Sequence, residues 1–183
     1  MKNISGFTII EVMIAIVIIG VLITIGVPSF QSTVMNNRLV TQTNLFVTSL
    51  NQARSEAVKQ NQQVSICATN NGTSCATSGT NWENGWLVFV DRDGDGTIDD
   101  GDDCGDAATD DCILTIQEPL AGELTLSSDT RIITYSGNGT VDNNRMLALC
   151  DSRGADYARA IMIGNTGRPS TASKTEAPTL TCP

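Results

Sequence analysis

Apolar and polar residues alternate along this chain with three successive patterns, and each predicts a different kind of element. Residues 6–28, GFTIIEVMIAIVIIGVLITIGVP, are almost without polar positions, a length that suits a helix crossing a bilayer. Residues 12–25 are mostly β-branched or aliphatic. In water that composition favours a strand, but in lipid every backbone group needs an internal partner, so a helix is expected. Gly20, Gly26 and Pro28 are its weak points, and Pro28 is expected to kink or locally unwind it by removing a backbone donor. From residue 29 to about residue 60 the pattern becomes amphipathic. Leu39, Phe46, Leu50, Ala53 and Ala57 follow one another at helical spacings, while Asn36, Arg38, Asn44, Gln52 and Lys59 occupy the other faces. This places a core-facing stripe on the second half of one long helix.

Beyond residue 60 the period switches to two. Segments 64–67, 86–90, 113–116, 124–126, 132–135, 146–150 and 158–163 read as seven strands separated by Gly, Asn and Asp turns. The fold class expected is α+β: a long N-terminal helix, one half transmembrane and the other amphipathic, packed on a C-terminal antiparallel β-sandwich. Segment 169–183 is rich in Ser, Thr, Ala and Pro and reads as an extended, loosely ordered tail that Cys182 would tie down.

One residue interrupts the first apolar run. Glu11 is an ionisable group where insertion costs roughly 2.5 kcal/mol or more, so it calls for a partner cation. A secretory leader has a basic start, an apolar core and then a small residue at the cleavage site. Here the small residue, Gly6, precedes the apolar run, so the order is inverted.

The hexapeptide Gly6-Phe7-Thr8-Ile9-Ile10-Glu11 resembles the cleavage and methylation motif of type IV prepilins and type II secretion pseudopilins. The resemblance implies that a prepilin peptidase cuts between Gly6 and Phe7 and that the Phe7 amine is N-methylated. It also implies that Glu11, fifth in the mature chain, faces the terminal amine of a neighbouring subunit during assembly. On this basis the chain divides into a leader (1–6), a transmembrane and assembly helix (7–28), the amphipathic half of the same helix (29–60) and a β-rich periplasmic domain (61–183).

Composition sharpens this picture in three places. The 183 residues carry 20 acidic and 11 basic side chains, a net charge of −9. Ten of the aspartates, with Arg92, lie in segment 91–111, so the acidity belongs to one loop and not to the whole surface. Histidine is absent and there are six cysteines. An even cysteine count on a chain whose basic leader, with Lys2, stays inside points to disulfides in the periplasm. Six cysteines allow 15 pairings, and because short loops close with least entropy the expected pairs are Cys67–Cys75, Cys104–Cys112 and Cys150–Cys182. None has the close paired spacing of a zinc site.

A second, wider resemblance covers most of the chain. Trp82-Glu83-Asn84-Gly85-Trp86-Leu87-Val88-Phe89-Val90-Asp91 and the later Ile163-Gly164-Asn165-Thr166-Gly167-Arg168 are similar to minor pilins of the FimU and FimT type and to the pseudopilin GspH. This family is characterised by a long helix packed on two antiparallel sheets and by a place at the tip of a pilus or pseudopilus. It implies a minor type IV pilin that is structural and primes assembly, with other major and minor pilins as partners. The inner membrane would hold the chain before it enters the fibre. The alternatives are a pseudopilin of type II secretion and a DNA-binding pilin of natural transformation.

Two candidate sites remain. In the acidic segment, Asp91, Asp93, Asp95, Thr97, Asp99 and Asp102 follow the spacing of a calcium loop, with Gly96 at the sharp turn. Position twelve departs from the pattern, being Asp102 where a longer Glu is usual, and a strand precedes the loop. A structural calcium is therefore one expectation, and a solvated acidic turn held by a Cys104–Cys112 bridge is the other; no cofactor is otherwise required. The second candidate is Arg168, which belongs to a basic stretch with Arg145, Arg153, Arg159 and Lys174 that would contact a phosphate backbone. Gly167-Arg168-Pro169-Ser170 lacks the second arginine of the Gly-Arg-x-Arg pattern of DNA-uptake relatives. Trp82 and Trp86 are expected to anchor the core. Without histidine the usual nucleophile and base pairs are not available, so the reading is a protein that is not an enzyme.

Overall fold

The computed structural model describes residues 6–99 and 111–182. The chain forms two compact units, Met1–Arg38 and Leu39–Pro183. A single helix, α1 (Ile9–Gln60), contributes to both. It starts with Thr8, whose Oγ1 accepts a hydrogen bond from the Glu11 amide at 3.3 Å while its carbonyl accepts one from Val12. The sequence Thr8-Ile9-Ile10-Glu11 is the S/T-x-x-E capping pattern, which satisfies donors left over in the first turn. The helical assignment continues through Pro28, so the lost donor is tolerated and the expected unwinding does not occur.

In the first unit every large apolar side chain from Ile9 to Phe30 is exposed. Such a helix is long and apolar enough to cross a membrane. In the second unit the pattern is amphipathic, and the buried residues are Leu39, Thr43, Phe46, Ser49, Leu50, Ala53 and Ala57. The five predicted from spacing are all among them. The two polar ones are satisfied within the helix, Thr43 donating to the Leu39 carbonyl at 2.7 Å and Ser49 to the Leu45 carbonyl at 3.3 Å.

Among the described residues eight strands follow: β1 (Gln63–Ala68), β2 (Trp86–Asp91), β3 (Cys112–Gln117), β4 (Thr125–Ser128), β5 (Ile132–Tyr135), β6 (Arg145–Cys150), β7 (Arg159–Ile163) and β8 (Pro169–Ser173). They form two four-stranded antiparallel sheets, ordered β3-β2-β1-β5 and β4-β6-β7-β8. One apolar cluster unites the helix stripe with a face of each sheet, through Ile66 and Val88 on one side and Leu147 and Ile161 on the other. Phe46 meets two indoles edge-on, with ring centroids 5.4 Å from Trp82 and 4.9 Å from Trp86. Trp82 also donates its Nε1 hydrogen to the Thr130 carbonyl at 2.9 Å.

The opposite faces of both sheets are apolar too, and each is covered by an irregular segment. On the first sheet Cys67, Leu87 and Phe89 form a second cluster with Cys75 and Ile98 from the loops. On the second sheet Ala148, Cys150, Ala160 and Ala172 pack with Ala177, Leu180 and Cys182. The disulfides Cys67–Cys75 and Cys150–Cys182 form as expected, and each joins a strand to the segment that covers it. Cys112 is also disulfide-bonded; its expected partner, Cys104, lies outside the described residues.

The C-terminal segment corrects the expectation of a loose tail. β8 pairs with β7 from Ile163–Pro169 to Arg159–Ser173, and Ala172, Ala177 and Leu180 are buried. The sequence Pro-Ser-Thr-Ala-Ser has no apolar alternation because an edge strand is held by its backbone ladder, and proline fits at its first residue. Gly167, in the turn before β8, has φ of 72°, and a Cβ there would come within 2.0 Å of the Gly139 carbonyl oxygen. That carbonyl accepts a hydrogen bond from Arg54 Nε of α1 at 3.0 Å. The Gly164-Asn165-Thr166-Gly167 turn is thus a packing device.

Two outcomes are expected for the full chain in detergent. Phe46→Ala should destabilise the second unit by about 3–5 kcal/mol, measured by urea denaturation. Cys182→Ser should cost about 2–4 kcal/mol and make the segment after Ser173 newly sensitive to limited proteolysis.

Candidate functional site

The first site is the start of α1. Phe7 is 82% exposed and follows Gly6 directly, so the bond between them is open to a peptidase. Glu11 occupies the third helical position, where a carboxylate is favoured by the helix dipole. Its side chain is exposed. The ion pairs among the described residues are Lys59–Glu56, Arg145–Asp129 and Arg153–Asp151, so no described cation of the chain answers Glu11. Sequence reasoning named Gly6, Phe7 and Glu11 but missed Thr8 as the helix cap; the capping pattern was the signal that would have found it.

The acidic segment is arranged differently from a calcium loop read in sequence order. Among the described residues its carboxylates fall into two groups that share Asp93: Asp91 with Asp93 and Asp111, and Asp93 with Asp95 and Asp99. Within each group, oxygens lie within 4.8 Å of one another. Asp111, not considered as a ligand from the sequence, completes the first group. Asp102 lies outside the described residues. Thr97 is engaged with Asp95 Oδ1, through its amide at 2.7 Å and its hydroxyl at 2.6 Å.

Asp91 ends β2 and Asp111 immediately precedes β3, so the two flank the Val90–Cys112 pair that closes that ladder. Asp91 is 1% exposed and Asp111 is 0% exposed. Asp91 Oδ2 accepts from Ser65 Oγ at 3.0 Å, whereas its buried Oδ1 has no hydrogen-bond partner. Asp111 accepts from the amides of Arg92 at 3.0 Å and Asp99 at 3.3 Å. Burial pushes the Asp91 carboxyl above the usual carboxylate range against the pull of Ser65 and the nearby Gly94 and Gly96 amides, and the charge on Asp93 pushes the same way. Asp111 is likewise raised, first by burial and then by the charges of Asp91 and Asp93.

The basic stretch does not assemble into one free patch. Arg145 pairs with Asp129 at 3.6 Å and Arg153 with Asp151 at 2.6 Å, its guanidinium lying 4.2 Å from the centroid of Tyr157. Lys174 donates to the Pro178 and Leu180 carbonyls. Arg168 is exposed, just before β8. Trp82 and Trp86 are fully buried, as expected of core anchors.

Against known proteins, residues 42–167 match the family model described as type II transport protein GspH, and residues 1–27 match the prokaryotic N-terminal methylation motif. A comparison with curated proteins found no match. The fold is similar to that of the type IV minor pilin FimU of Pseudomonas aeruginosa in two crystal forms. One has 23% identity and a TM-score of 0.56, covering 76% of this chain and 91% of that one. The other has 22% identity and a TM-score of 0.54, covering 75% and 94%. The methylation motif accounts for the apolar start with its glutamate, and the GspH model takes in α1 from residue 42 and both sheets through β7. The chain therefore belongs to the GspH family of type II transport proteins, and its start carries the prokaryotic N-terminal methylation motif.

Proposed function

We propose that this chain is a minor pilin, a structural component that primes assembly of a type IV pilus at or near its tip. It is cut between Gly6 and Phe7 by a prepilin peptidase and N-methylated on Phe7. Before assembly it sits in the inner membrane with its β-rich domain in the periplasm. It then enters the fibre through α1, among the helices of other major and minor pilins.

One observation carries this reading: from Ile9 to Phe30 the helix exposes every large apolar side chain, with an exposed carboxylate, Glu11, that no described cation answers. Exposed apolar surface of this extent needs lipid or other helices around it. A carboxylate within it needs a positive group from outside. The terminal amine of a neighbouring subunit meets the second need while neighbouring helices meet the first.

The pseudopilin of type II secretion makes the same use of the helix, and the GspH match keeps it as the second reading. DNA binding draws less support, since Arg145, Arg153 and Lys174 are engaged within the domain and Arg168 lacks the second arginine of the uptake pattern.

Glu11→Ala should be processed at Gly6 to an extent close to that of the unaltered chain but should enter sheared filaments at a level reduced by about tenfold or more, since an answered charge in an apolar setting contributes several kcal/mol. Immunoblots of membrane and filament fractions measure both, and normal incorporation would contradict the docking role. Deleting the gene separates the two assembly readings: loss of surface pili with secretion intact supports the pilus, and the reverse supports the secretion apparatus.

A further inference from the structure

The end of β2 and the start of β3 hold an arrangement that assembly through α1 does not use. Two carboxylates, Asp91 and Asp111, are buried beside the last pair of that ladder, and the exposed Asp93 approaches both. Backbone amides answer Asp111. Asp91 belongs to the same cluster, and its buried Oδ1 is left without a hydrogen-bond partner. A buried carboxylate oxygen with no partner is costly, and carboxylates brought side by side repel one another.

We propose that Asp91, Asp93 and Asp111 form a calcium site that fastens the end of β2 to the start of β3. Oxygens bound to one calcium at about 2.3–2.6 Å can be no more than about 5 Å apart. The three carboxylates meet that limit, lying within 4.8 Å of one another. The donor set consists of carboxylate oxygens, the chain has no histidine, and free cysteines are absent among the described residues. This excludes a zinc site of the usual kind and suits a hard cation. Asp91 and Asp93 also line a surface recess with Gln63, Arg92, Gly94, Gly137 and Asn138. A loop of this kind adapts to the irregular, many-oxygen shell of calcium better than to the tight octahedron of magnesium. The bound ion would supply the positive charge that Asp91 Oδ1 lacks and remove the repulsion between the buried pair.

The site differs from a linear calcium loop, since its third carboxylate comes from Asp111, across the ladder. The test uses the full chain in detergent, stripped with a chelator and dialysed against radioactive calcium. One ion should bind per chain with a Kd of about 10⁻⁴–10⁻³ M, in the range of extracellular calcium modules. Asp93→Asn, at an exposed position, and Asp111→Asn should each weaken binding by about tenfold or more, whereas Asp142→Asn, an exposed carboxylate outside the cluster, should leave it unchanged. Calcium should also raise the melting temperature of the unaltered chain and not that of Asp93→Asn. Binding undetectable at ~10 mM calcium, well above that range, would overturn the proposal. So would binding undiminished in both cluster variants, and equal binding of magnesium would overturn the assignment to calcium. Because the measurement needs no filament, its outcome is independent of whether the chain serves a pilus or a secretion apparatus.

Discussion

The second unit depends on one packing constraint: the stripe from Leu39 to Ala57 must be buried against both sheets at once. Phe46 sits at the centre of that contact, edge-on to Trp82 and Trp86, and the cluster around it draws side chains from α1 and from both sheets. Using one face of each sheet in this way leaves the other apolar face to be covered by something else. Among the described residues there is no second α-helix, and irregular segments serve instead: the loop after β1, Ile98 of the acidic segment and the C-terminal tail. Irregular segments bury little and order at an entropic cost, so the disulfides Cys67–Cys75 and Cys150–Cys182 fall where each cover meets its strand.

The same helix meets opposite demands along its length. Over Leu39–Gln60 it presents small and apolar residues at helical spacing and is buried by its own chain. Over Ile9–Phe30 it is apolar on all sides and exposed. That first stretch is complete only in an apolar environment supplied by lipid or other chains. The match to the N-terminal methylation motif falls on this same stretch, whereas the GspH match begins at residue 42. Thr8 caps the helix beside Glu11 and leaves the carboxylate of Glu11 exposed.

How far the sites were legible depended on how local they are. Gly6, Phe7 and Glu11 lie within one hexapeptide, so the motif that holds them is visible in the sequence alone. The acidic segment was legible only in part. Counting along the loop selected Asp91, Asp93, Asp95, Thr97, Asp99 and Asp102, because a calcium loop is recognised by spacing. The structure keeps Asp93, Asp95 and Asp99 together but also groups Asp91 and Asp93 with Asp111, because antiparallel pairing of Val90 with Cys112 brings distant residues side by side. Spacing cannot reveal a neighbour that arrives across a ladder.

The sequence by itself determined what rests on period and on short loops. These are the long helix with its change of character, the buried stripe, seven of the eight strands, the disulfides Cys67–Cys75 and Cys150–Cys182, and the assembly motif. Apolar periodicity and loop-closure entropy act along the chain and leave a direct record in it. Only the tertiary structure decided the pairing of the strands into two sheets, β8 with its polar sequence, the closeness of Gly167 to Gly139 and the meeting of Asp91 with Asp111. Each of these depends on which segments lie next to each other in space, and an edge strand held by backbone hydrogen bonds, or a glycine required by a carbonyl from elsewhere, leaves no periodic trace in the residues themselves.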